Sequence, residues 1–120
     1  MPSTFGFPVV AHPTDPDAVF TVPLNGDDRG RYVPGASMAV WHTTDAGATW
    51  HDLRDGLPQD NAFLGVLREG MAADSLDPFG LYLGTSTGQV FASADEGRSW
   101  RRIADLLPPV LSVETALVGA

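Results

Sequence analysis

The sequence predicts an all-β protein: two consecutive antiparallel four-stranded units followed by one extra strand. Three observations carry that expectation. First, an octapeptide occurs twice, as Thr43-Thr44-Asp45-Ala46-Gly47-Ala48-Thr49-Trp50 and as Ser93-Ala94-Asp95-Glu96-Gly97-Arg98-Ser99-Trp100. Five of the eight positions agree in residue class, and Asp45 and Asp95 stand fifty residues apart. Second, each copy is flanked by short runs rich in β-branched and aromatic residues, which suit a pleated, half-buried surface. Third, the segment Asp55-Gly56-Leu57-Pro58 returns as Asp105-Leu106-Leu107-Pro108 at the same offset, so the repeat extends beyond the octapeptide.

The octapeptide reads as a turn. An aspartate can fold back onto the amides of its own turn, and a glycine two residues later can take a positive φ. The hydroxyls of Thr43, Thr49, Ser93 and Ser99 can cap the same turn. Trp50 and Trp100 then start the next strand with a large apolar group. Each copy is therefore expected to join two strands as a β-hairpin.

In chain order, Gly6 to His12 reads as a strand stopped by Pro13, and Thr14 to Asp17 as a turn. Ala18 to Val22 is the second strand. Leu24 to Ser37, rich in Gly, Asp, Arg and Pro, reads as a long loop. Met38 to His42 and Thr49 to Leu53 flank the first octapeptide turn and complete one unit, with bounds of about 6–58. The second unit, about 62–108, takes Phe63 to Ala72, Gly80 to Gly84, Gln89 to Ala92 and Ser99 to Ile103 as strands. Its connections are Leu76-Asp77-Pro78, Ser86-Thr87-Gly88 and the second octapeptide. The extra strand is expected within 110–118.

The octapeptide pair resembles the Asp-box, or BNR repeat, of sialidases, sortilin-type receptors, xyloglucanases and many bacterial β-propeller proteins. The run from Phe7 to Leu117 resembles the C-terminal part of bacterial WD40/YVTN/BNR-like propeller proteins that carry a glycosyl hydrolase label. That resemblance implies that Thr43, Asp45, Gly47, Thr49, Trp50, Ser93, Asp95, Gly97, Ser99 and Trp100 form fold-stabilising turns between the outer strands of propeller blades, away from any active site. It also implies a partial propeller. Propellers use about 4–8 blades, and stacked repeats need about three units for stability. The partners expected on that ground are the remainder of a propeller or further copies of this chain.

Composition narrows the classes of function. The 120 residues hold 15 acidic and 7 basic side chains, all of the latter arginine, for a net charge of −8. That balance repels phosphate backbones and anionic lipid surfaces, so neither nucleic acid nor membrane is an expected partner. No apolar run approaches the roughly 18 residues of a membrane helix. The first residues lack the basic and long apolar regions of a signal peptide. Cysteine is absent, which removes thiol chemistry. The expected location is the cytoplasm.

Candidate chemistry is sparse. His12, His42 and His51 lack metal-ligand spacing, and no cofactor or metal is expected. Gly84-Thr85-Ser86-Thr87-Gly88 has the formal spacing of a nucleophile elbow, but a strand follows it and no histidine lies downstream. The loop holding Asp27, Asp28, Arg29, Arg31 and Tyr32 is a candidate recognition surface; its spacing is not that of a calcium loop and its arginines oppose a cation. A glycosidase needs two carboxylates roughly 5–10 Å apart, one with a raised pKa. The best placed groups are Asp60, Arg68, Glu69 and Asp74. A sialidase-like site would add an arginine triad and a tyrosine–glutamate pair, and the sequence shows neither; Tyr32 and Tyr82 are its only tyrosines.

Two functions follow as expectations. The first is a non-catalytic propeller segment acting as scaffold or as a surface for a protein or carbohydrate ligand. The second is a fragment of a glycoside hydrolase, sialidase-like or related, whose active site is completed by residues outside this chain.

Overall fold

A computed structural model describes residues 6–23, 33–60, 62, 64–66, 70–76, 78–110 and 112–114. The protein is all-β, with two four-stranded antiparallel sheets, each a meander in chain order. The first sheet is β1 (Gly6–Ala11), β2 (Val19–Pro23), β3 (Val40–Thr43) and β4 (His51–Leu53). The second is β5 (Met71–Ala73), β6 (Leu81–Gly84), β7 (Val90–Ser93) and β8 (Arg101–Ala104). A 3-10 turn, Pro34–Ala36, precedes β3. Among the described residues, no helix is long and apolar enough to cross a membrane.

Alternation along the strands decides which face meets the other sheet. Phe20, Val22 and Val40 share one face of the first sheet. They pack with Leu81, Leu83, Phe91 and Trp100 from the facing side of the second. The Phe20 and Phe79 rings meet edge to face at 5.5 Å across this seam, a favoured aromatic geometry. The register places Trp41 opposite both Thr21 and Asp52, on the far face of the first sheet. Thr21 is nevertheless buried there, because its hydroxyl donates to the Pro8 carbonyl at 2.7 Å.

The segment joining the sheets differs from the expected long strand over Phe63–Ala72. Phe63 and residues 67–69 lie outside the described residues, and among the described ones only Met71–Ala73 enters the ladder. Upstream, Leu64 accepts from the Val33 amide and Gly65 accepts from the Ser86 amide, each at 2.8 Å. Those backbone groups bond to loops rather than to a neighbouring strand. Leu57, Ala62, Leu64 and Val66 are all buried in the common core, so the apolar run there fills space between sheets.

Of the extra strand expected within 110–118, residue 111 and residues 115–118 lie outside the described residues. Only Ser112 forms an isolated bridge. Val110 donates its amide to the Thr85 carbonyl at 3.0 Å, which anchors the segment to the β6–β7 turn. The expected loop over Leu24–Ser37 lies outside the description at residues 24–32.

Candidate functional site

The two octapeptides fold into turns with the same bonding. In the first, the Thr43 hydroxyl donates to Asp45 Oδ1 at 2.7 Å, and Thr43 Oγ1 accepts from the Gly47 amide at 3.0 Å. The Thr49 amide donates to Asp45 Oδ1 at 2.8 Å, while its hydroxyl bonds Oδ2. The Trp50 indole N–H donates to the Gly47 carbonyl at 3.1 Å. In the second, Ser93, Asp95, Gly97, Ser99 and Trp100 repeat every one of these bonds, for instance the indole N–H to Gly97 at 2.9 Å. The left-handed residues also match: Ala46 and Gly47 have φ of 57° and 92°, Glu96 and Gly97 of 61° and 90°. Each turn is tied to its own sheet by a further amide, Ala46 to the Asp17 carbonyl and Glu96 to the Phe79 carbonyl.

Both carboxylates are occupied by this bonding, which fixes their charge. The Thr49 hydroxyl, then the Thr49 amide and the Thr43 hydroxyl, hold Asp45 down at a pKa of about 2. Burial pushes Asp95 up, but the Ser99 and Ser93 hydroxyls and the Ser99 amide outweigh it, and the group is lowered. A carboxyl with a lowered folded-state pKa stabilises the fold above its unfolded value, and that contribution fades as pH falls towards the folded value. Urea midpoints should therefore drop between about pH 4 and pH 2. The double variant Asp45→Asn, Asp95→Asn should show a flatter acid limb; an unchanged limb would remove these groups as its cause.

The two turns differ in what covers them. The Trp100 side chain is 6% exposed, whereas Trp50 is only half-buried. The Trp100 amide donates to the Asp55 carbonyl of the first sheet at 2.8 Å. Gly97 lies against Leu53, so that a Cβ there would stand 2.9 Å from Leu53 Cδ1. The seam also carries polar groups. His12 Nδ1 accepts from the Thr14 and Asp15 amides, leaving Nε2 3.5 Å from Glu96 Oε1. Beside them is a space of about 220 Å³ bounded by His12, Phe20, His42, Leu53, Glu96 and Arg98. His42 stacks on Phe20 at 5.1 Å, and its Nδ1 is buried with no hydrogen-bond partner among the described residues. Burial, then the neighbouring His51 and Arg98, push its pKa down.

An open cleft of about 810 Å³ lies elsewhere, lined by Val10, Asp74, Leu76, Tyr82, Val90 and Glu114 among others. Asp74 belongs to its wall, but its oxygens are engaged. Oδ1 accepts from the Leu76 and Gly80 amides at 3.0 and 2.7 Å, and Oδ2 from the Tyr82 hydroxyl at 2.9 Å. Burial raises its pKa, yet the Gly80, Leu76 and Tyr82 bonds outweigh that and leave it lowered. Asp74 thus brackets the β5–β6 turn, and its charge state is opposite to that of a general acid. Asp60 is exposed and is not part of the cleft lining. Arg68 and Glu69 lie outside the described residues, as do Asp27, Asp28, Arg29, Arg31 and Tyr32. Glu114 is a cleft carboxylate that sequence reasoning missed. It reaches the cleft through the path of the C-terminal segment, and no local motif marks it.

Ser86 is no elbow nucleophile: its hydroxyl accepts from the Gly65 amide at 3.0 Å, and β7 follows it. Among the described residues, no group of three or more His, Asp or Glu side chains could hold a metal ion. A scan against protein-family models gives no match, and a search of curated proteins gives none.

Proposed function

We propose that this chain is a non-catalytic segment of an Asp-box β-propeller, acting as a scaffold or as a binding surface for a protein or glycan. The observation that carries this reading is the identity of the two octapeptide turns bond for bond, with both aspartates consumed in holding their turns. Groups so occupied support a fold: three hydrogen bonds from the same turn hold each carboxylate. Each sheet is then one blade. The partners are further sheets of the same kind, supplied by the remainder of a propeller or by further copies.

The competing reading, a glycoside hydrolase fragment completed by other residues, draws on the open cleft. A retaining or inverting pair requires one carboxyl kept protonated near neutrality, and Asp74 is held in the opposite state by three hydrogen bonds. A panel of chromogenic glycosides, including sialosides, should give no turnover above the buffer rate. Turnover that disappears in Glu69→Gln or Asp74→Asn would overturn the scaffold reading.

A further inference from the structure

The seam between the sheets shows what a receiving edge must provide. Leu53 supplies an aliphatic surface for the incoming Gly97, and Asp55 supplies a carbonyl for the Trp100 amide. Gly56 supplies the absence of a side chain: its φ is +88°, and a Cβ there would lie 1.9 Å from the Trp100 carbonyl oxygen. The incoming part is the octapeptide turn itself. The first turn has the same internal geometry as the second, but nothing among the described residues is seated on it. A Cβ at Gly47 would meet only the Trp50 ring, at 3.7 Å.

The far edge of the second sheet departs from the receiving pattern at two points. Val40 pairs with Leu53, but Val90 pairs with Ala104 because a bulge intervenes, and Ile103 is left 57% exposed. Leu106 stands as many residues after Trp100 as Gly56 does after Trp50. It shares the left-handed backbone, with φ of 60°, yet carries a side chain that is 93% exposed. A bulge is a means by which a sheet edge is kept from further pairing, and the Leu106 side chain stands at the place where Gly56 leaves room for the Trp100 backbone.

From this we infer that the chain docks in one direction. Its Trp50 face accepts a sheet edge of the Leu53–Gly56 kind, namely an aliphatic residue, a free carbonyl and a glycine in left-handed backbone. Its own β8 edge rejects the Trp50 face of a second copy, because the Leu106 side chain occupies the space the incoming tryptophan backbone needs. The inference rests on the scaffold reading, and of the partners named there it selects a different sheet over a second copy.

The test rebuilds the missing edge. The variant Arg101→His, Arg102→Asp, Ile103→Leu, Ala104→Arg, Leu106→Gly gives β8 the closing sequence of β4 and alters only exposed or half-exposed positions. Light scattering over a wide concentration range should show head-to-tail association, with mass about twofold or more above that of the native chain. The same variant with Ile103→Glu in place of Ile103→Leu should return to the native mass. A rebuilt edge whose mass matches the native chain at every concentration overturns the inference. So does a native chain whose mass falls on Ile103→Glu alone. Both outcomes are read as mass, whereas failure of the scaffold reading is read as turnover, so the two are distinguishable.

Discussion

Replacing Trp100 by alanine should lower the unfolding free energy by about 3–5 kcal/mol, the usual cost of deleting a buried large aromatic. The same replacement at Trp50 should cost about 1 kcal/mol, chiefly the indole hydrogen bond and partial burial. The two residues occupy the same place in matching turns and make the same indole bond. The difference is that Trp100 belongs to the core shared by both sheets, and its removal leaves a cavity flanked by apolar neighbours. Urea unfolding of the two single variants measures the contrast. Equal losses would mean that the inter-sheet seam contributes little and that turn bonding dominates.

Gly56→Ala should destabilise by about 3 kcal/mol. An alanine at positive φ costs roughly 1–2 kcal/mol, and forcing apart a tight contact costs about 1–3 kcal/mol more. The contact here is between backbones, 1.9 Å from an added Cβ to the Trp100 carbonyl oxygen, so no side-chain rotation can relieve it. The sheets must separate, and the Trp100-to-Asp55 amide bond lengthens with them. Leu106→Gly is the matched control at an exposed site and should change stability by less than about 1 kcal/mol, since relief of the left-handed leucine is offset by a more flexible unfolded chain. A Gly56→Ala variant as stable as the native chain would show that the observed spacing at the seam is not required.

The strand framework was legible because its signals are local. Val19, Phe20 and Val22 announce β2, and Leu81, Tyr82 and Leu83 announce β6, through composition and alternation within a few residues. The stretch from Phe63 misled for a related reason. Leu64 and Val66 have the apolar spacing of a strand, but the Leu64 carbonyl is bonded to Val33 and the backbone of Gly65 to Ser86, both from distant loops, which no window on the sequence reveals. Asp74 was legible as a charged group near a strand end. Its capture by Leu76, Gly80 and Tyr82 depends on the β5–β6 turn closing back on itself.

What the sequence alone determined is the pair of octapeptide turns and the two four-stranded units built around them. The side-chain bonds inside each octapeptide turn join residues at most four positions apart, so residue identity and spacing suffice there. What the tertiary structure decided is which turn is covered, which carboxylates share a cleft, and which edge can receive a neighbour. Those outcomes follow from faces meeting across large separations in the chain. Identical turns at Trp50 and Trp100 therefore have unequal burial, because among the described residues only the second has a sheet packed against it.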